Sequence, residues 1–330
     1  MTSIPATVVK SPFARLGRAL AHGDVPYRLI TVAASIVLIL LVVSFGLMLW
    51  ITSAPTRTQF GLQSLFSSDW NPSGEIFGSL PFVVGTLLTS LVGLAIALPF
   101  SLSIAIFLVE LCPPRLRGPV GTMVELLAAI PSVVYGLWGL FAFIPAVVKP
   151  LGDFLLKLLG TPTNFIYLPF LSGPFFGTSI FASGVILAIM VVPSITAITR
   201  DVLLAVPAAQ REASFALGAT HSETISKVIL PYGMSGILGA IILGLGRALG
   251  ETMAVTMTVG NVSELPTSLL NPGYTMSSVI ANEWGEARSL LHSSALLEIG
   301  LMLFATSLLL NVLARLLVWS VSRKNPDQRG

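Results

Sequence analysis

The chain has 330 residues, 54% hydrophobic and only 10% charged, with a net charge of +3. A soluble domain carries about 25% charged residues, so a water-surrounded globule is excluded. The apolar runs exceed the ~18 residues of a membrane span and do not alternate as barrel strands do, which makes the class an all-α polytopic membrane protein.

In chain order, residues 1–28 form a basic head, with Lys10, Arg15, Arg18 and Arg28 against Asp24. The first transmembrane helix is predicted over residues 29–51. This run is longer than the roughly 7–15-residue core of a cleaved signal, so a retained anchor is expected. Residues 52–80 are a polar loop. The second span is predicted over 81–109 and the third over 118–147, interrupted by Pro131, with a tight Pro113-Pro114 turn between them. Residues 148–173 read as a short amphipathic or re-entrant piece at the interface. The fourth, fifth and sixth spans follow at 174–199, 234–260 and 294–321. An acidic loop, 261–293, lies before the last span, and a basic tail, 322–330, after it.

Lys and Arg set the orientation, because cytoplasmic loops carry the excess. With the N-terminus inside, the inner segments hold the basic head, Arg115, Arg117, Arg200, Arg211, Lys227, Arg323, Lys324 and Arg329. The outer ones hold only Arg57, Lys149, Lys157 and Arg288, an asymmetry of about threefold. Both termini are therefore expected in the cytoplasm and residues 52–80 outside. The single Cys112 excludes an internal disulfide. His22, His221 and His292 are scattered, so no metal site is expected. No Gly-x-x-x-x-Gly-Lys-Ser/Thr run is present, so ATP hydrolysis is not expected on this chain.

Residues 200–233 form the longest inner connection. Val206-Pro207 can open a helix, Ala208 to Leu217 favours one, and Gly218 can end it. A second short helix is predicted from Ser222, acting as cap, to Leu230. The two make a compact knob, and Pro231 adds stiffness where the chain meets the membrane.

The fifth span carries Arg247, about 12 residues beyond its membrane entry and so near mid-bilayer at ~1.5 Å per residue. An ionised Arg there costs on the order of 2.5–3.5 kcal/mol on insertion scales. Glu251 follows one helical turn on, so both are expected on one face. One reading is a structural ion pair; the other is the wall of a polar pathway. The planar guanidinium suits an oxyanion, and Glu251 would temper its hold so that passage remains possible. Glu125 has two equal readings, facing the pathway or capping a neighbouring helix. Ser132, after the kink at Pro131, is a candidate contact, as are Thr89 and Ser90. Glu298 and Arg315 are expected to snorkel at the ends of span six.

Glu212-Ala213-Ser214, three residues, Gly218, nine residues, Val228, one residue and Leu230-Pro231 resembles the EAA loop of ABC-importer membrane subunits. Ser214 and Val228 replace the usual Ala and Ile. The stretches Gly244 to Val255, Glu125 to Gly139 and Gly85 to Ser90 resemble the phosphate-specific importer permeases. The likeness runs from about Gly85 to the last span and is loose before about residue 78.

The resemblance implies a type I ABC importer (MetI-like) permease core over residues 81–321, with a coupling loop at 200–233. Glu212, Ala213, Gly218, Leu230 and Pro231 would dock an ATPase, and Arg247 and Glu251 would serve phosphate passage. It further implies a PstA-like permease partner, a PstB-like ATPase dimer holding ATP and Mg, and a periplasmic phosphate-binding protein of the PstS type. The chain itself would need no cofactor. The expected place is the bacterial inner membrane, with lipid around the spans and no nucleic acid. The expected function is ATP-driven phosphate import by alternating access. A sulfate or molybdate importer would share the loop, and an ion-coupled secondary anion carrier would not need it.

Overall fold

The computed structural model describes residues 24–61, 63–160 and 168–323. Residues 1–23 of the basic head, with His22, and most of the C-terminal tail lie outside them. Among the described residues six helices are long and apolar enough to cross a membrane: Pro26–Thr52, Leu80–Leu111, Ser132–Leu159, Ile180–Leu204, His221–Gly250 and Leu290–Trp319. The chain divides into two compact units, residues 1–51 and 52–330.

Of the first unit the structure describes α1 (Asp24–Thr52). Its hydroxyls return to their own helix: Thr31 Oγ1 donates to Tyr27 O at 2.9 Å and Ser35 Oγ to Thr31 O at 2.8 Å. That is the required solution in hydrocarbon, where no water can serve them.

The second unit opens with two short helices, α2 (Ala54–Phe60) and α3 (Gln63–Phe66), and a small antiparallel hairpin, β1 (Trp70–Asn71) and β2 (Ile76–Phe77). Span two is α4 (Leu80–Ile106), which runs into a π-helical turn, Phe107–Leu111. Next comes α5 (Pro114–Ala128), then span three, from α6 (Ser132–Trp138) through a π-helical stretch, Gly139–Val148, into α7 (Lys149–Leu159). Span four is α8 (Ile180–Leu204), and the inner loop holds α9 (Ala208–Ala216) and α10 (His221–Thr224). A further π turn, Ile225–Ile229, leads into α11 (Leu230–Gly250). After it come α12 (Met253–Thr258), α13 (Met276–Glu283) and α14 (Leu290–Arg323).

The core lies where α4, α8 and α11 meet. Leu94, Ala97, Ile186, Leu187, Met190, Val191, Ile195 and Ala240 form one buried cluster. Small residues permit the approach: a Cβ on Gly184 would meet Val92, and one on Gly244 would meet Ile195. Gly85 of α4 is tighter still, because its Cβ would collide with the Tyr274 carbonyl oxygen. Gly85→Val is expected to destabilise the fold by about 1–3 kcal/mol. A thermal-unfolding scan of the detergent-solubilised chain checks this.

Three sequence expectations change. Pro131 ends the predicted third span instead of kinking it: Pro131 is extended, at φ −59° and ψ 138°, and α5 is a separate helix. A proline pushes the residue before it out of the α region, and Arg115 and Arg117 make the start of α5 a poor hydrocarbon segment. The third span shifts to Ser132–Leu159 and takes in residues 148–159 of the stretch expected at the interface, where Lys149 pairs with Asp153 at 3.1 Å. Glu298 does not snorkel: it is 5% exposed and accepts a hydrogen bond from Ser64 Oγ at 2.8 Å. Arg315 does lie exposed on α14.

Candidate anion pathway and coupling face

The fifth span is discontinuous. α11 stops at Gly250; Glu251 is extended at φ −67° and ψ 128°; and α12 restarts at Met253. Arg247 therefore sits in the last turn of α11, while Glu251 lies in the break, off the helical face on which both were expected. Glu251 Oε1 instead accepts from Ala254 N at 3.2 Å, satisfying an amide at the start of α12. Its own carbonyl accepts from Ser277 Oγ at 2.8 Å. Irregular backbone at membrane depth is tolerated where protein satisfies it or where it lines a cavity.

Among the described residues Arg247 makes no ion pair. Its Nη1 donates to Ser194 Oγ of α8 at 2.7 Å, and the side chain is exposed on this chain. A guanidinium has five N–H donors in a planar fork, so one contact leaves most of that fork open to an oxyanion. Tyr135 of α6 packs in the same cluster as Ala248 and Ala254 and is within electrostatic reach of Arg247. Gly136 lets α6 close on α12, with its Cβ position only 3.1 Å from Ala254 Cα.

The other candidates are dispersed. Ser132 is the first residue of α6, one turn before Gly136. Glu125 lies on α5 and pairs with Arg200 of α8 at 2.8 Å, so it partners a neighbouring helix and is not brought to Arg247. Thr89 and Ser90 are buried in α4. Ser194 and Ser277 were missed. The Pro193-Ser194 pair in an apolar span repeats the Pro131-Ser132 signal and marks Ser194; nothing local marks Ser277.

The inner loop forms the expected knob with altered joints. Gly218 ends α9 with φ at +85°. The next cap is Thr220, not Ser222: its hydroxyl accepts from Glu223 N at 3.4 Å, and Glu223 Oε2 accepts from Thr220 N at 3.0 Å. A reciprocal capping box satisfies two orphan amides at once, which explains the shift. The second short helix is no separate arm, because His221–Gly250 is one continuous helix and Pro231 sits in its α-helical first turn after the π turn. Ser214 and Thr224 join the two sides through their hydroxyls at 2.9 Å. Ala213, Leu217, Gly218, Ala219 and Val228 line a groove of about 480 Å³. Leu217 is 89% exposed, Phe215 is also exposed, and Glu212 stands beside them in solvent.

At the opposite end, the β1–β2 hairpin, the loop after α12, the α13 end and the α14 start line an open polar cavity of about 750 Å³. Glu283 organises its wall, accepting from Trp70 Nε1 at 3.0 Å and pairing with His292 Nε2 at 3.1 Å. Burial pushes the Tyr274 phenol up, and its oxygen accepts from Asn282 Nδ2 at 3.0 Å.

The family described as binding-protein-dependent transport system inner membrane component matches residues 97–323, which includes the knob, the break and the last span. The chain belongs to this family. A phosphate transport system permease protein PstC of Pasteurella multocida is 48% identical over 80% of this chain and 82% of its own length. The PstC protein of Xylella fastidiosa (strain Temecula1) is 43% identical over 92% of this chain and 93% of its own. That of Haemophilus influenzae is 41% identical over 87% and 90%. Among solved structures, a bacterial ABC transporter involved in alginate import superposes with a TM-score of 0.54 at 18% identity, covering 93% of this chain and 99% of that one. The MetNI methionine transporter gives a TM-score of 0.51 at 17% identity over 72% and 93%. The fold is thus that of a MetI-like ABC-transporter permease, and family membership makes the chain a multi-pass translocation subunit.

Proposed function

We propose that the chain is the PstC-type subunit of an ATP-driven importer that carries inorganic phosphate by alternating access. The observation that carries the reading is Arg247: a guanidinium in the last turn of α11 whose one hydrogen bond among the described residues goes to Ser194, with the rest of its fork open. Such a fork matches phosphate oxygens. Its open side belongs against a PstA-like partner, so that the pathway lies between two permeases. ATP and Mg bind a PstB-like ATPase pair, which receives Leu217 and the motif around Glu212, Ala213, Gly218, Leu230 and Pro231. The outer cavity and hairpin receive a PstS-type phosphate-binding protein. Closure of the ATPase pair moves the knob and tilts spans four and five, and binding-protein docking biases the same two-state equilibrium.

Both termini lie in the cytoplasm of a bacterial cell with the knob. A membrane-impermeant maleimide is expected to label Ser73→Cys from outside intact cells and Leu217→Cys only after permeabilisation; the reverse pattern would invert the orientation. The function is tested by reconstituting the chain with its partner permease, ATPase pair and binding protein in liposomes. Labelled phosphate should accumulate only when ATP reaches the ATPase. Accumulation without ATP would contradict the reading.

A further inference from the structure

We infer that Glu110 is a positioning residue that ties the inner knob to span two and makes knob movement reach three spans together. This rests on the proposed ATP-driven function and adds to it the place where force enters the core. Glu110 stands in the π turn Phe107–Leu111 at the inner end of α4, and its side chain is only 7% exposed. Arg211 Nη1, from α9 in the knob, donates to Glu110 Oε1 at 2.5 Å. The same guanidinium donates through Nη2 to Leu203 O at 2.7 Å, in the last turn of α8. His221 Nε2, at the start of the fifth span, lies 3.7 Å from Glu110 Oε2. One carboxylate therefore faces one basic group from each side of the knob, and Arg211 carries the link on to span four.

Covalent connection gives the knob only two attachments, to α8 through Val206-Pro207 and to the fifth span through His221. Span two is remote in sequence and has no such link. Glu110 supplies it. Apolar packing beneath fixes the geometry: Ala105, Val109, Leu203, Val206 and Ile229 form a buried cluster. The π turn aims the carboxylate toward the knob, and single π turns recur where a side chain must be redirected for function. Arg117 Nη2 donates to Val109 O at 2.7 Å, which holds the turn itself against α5. Energetic coupling between distant sites travels through packed side chains and salt-bridge networks of this kind.

The test uses the complete reconstituted complex and measures labelled phosphate taken up per ATP hydrolysed. Glu110→Gln keeps the shape and removes the charge. The expected result is assembled complex, ATP hydrolysis within about twofold of wild type, and phosphate per ATP lowered by about tenfold. Glu110→Asp, which keeps the charge but shortens the reach, decides in the same way if the Gln variant does not assemble. An unchanged ratio in the assembled variant overturns the inference. So does failure of both variants to assemble, because the residue would then serve folding alone. A wild-type complex that takes up no phosphate with ATP speaks instead against the proposed function and is recognised before any variant is compared.

Discussion

Arg247→Gln is expected to lower ATP-driven phosphate uptake by about 10- to 150-fold, the loss that follows when a charge-assisted contact of roughly 1.5–3 kcal/mol is removed from the passing anion. Assembly should survive. Arg247 is exposed on this chain, and its one hydrogen bond among the described residues goes to Ser194, so Gln removes the charge without opening a buried site. Arg247→Lys should recover only part of the rate, since an ammonium keeps the charge without the planar fork. Uptake rates normalised to the amount of assembled complex check both variants. Normal transport by Arg247→Gln would remove Arg247 from the pathway.

The second large effect is expected at the knob. Gly218 holds φ at +85°, and its N–H donates to Phe215 O at 2.9 Å. Proline is confined to φ near −65° and has no N–H. Gly218→Pro therefore combines backbone strain with a lost hydrogen bond, on the order of 2–4 kcal/mol concentrated in the α9–α10 joint. The ATPase should dissociate, or hydrolyse ATP without driving uptake. Gly218→Ala is the control. Nothing lies within 4 Å of its Cβ position, so only the left-handed backbone is penalised, by about 1–2 kcal/mol. Co-purification of the ATPase with each variant distinguishes them; coupling left intact by Gly218→Pro would count against the knob.

The gross architecture was legible because hydrocarbon imposes one rule, that a span be long, apolar and helical. The knob was legible because its spacing is a local pattern, and Gly218 ends α9 as its residue type demanded. Failures came where tertiary packing decides. Nothing within the fifth span announces a helix break at Glu251: the carboxylate turns to Ala254 N, and Ser277, 26 residues on, satisfies the carbonyl left over. Hydropathy blurred α5 into the third span because Met123, Leu126 and Leu127 are apolar and exposed. Glu298 was misplaced because its partner, Ser64, is 234 residues away. Part of the candidate site was thus visible as one Arg in an apolar span, and the broken helix with Ser277 required the fold.

Phosphate selectivity at Arg247 is tested most directly by the initial rate of labelled phosphate uptake into liposomes holding the complete complex, measured with and without equal external sulfate. The expected result is uptake that depends on ATP and on Arg247 and stays within about twofold when sulfate is added, because a site fitted to one oxyanion rejects another that cannot make the same hydrogen bonds. Sulfate suppressing phosphate uptake as strongly as unlabelled phosphate does would contradict it.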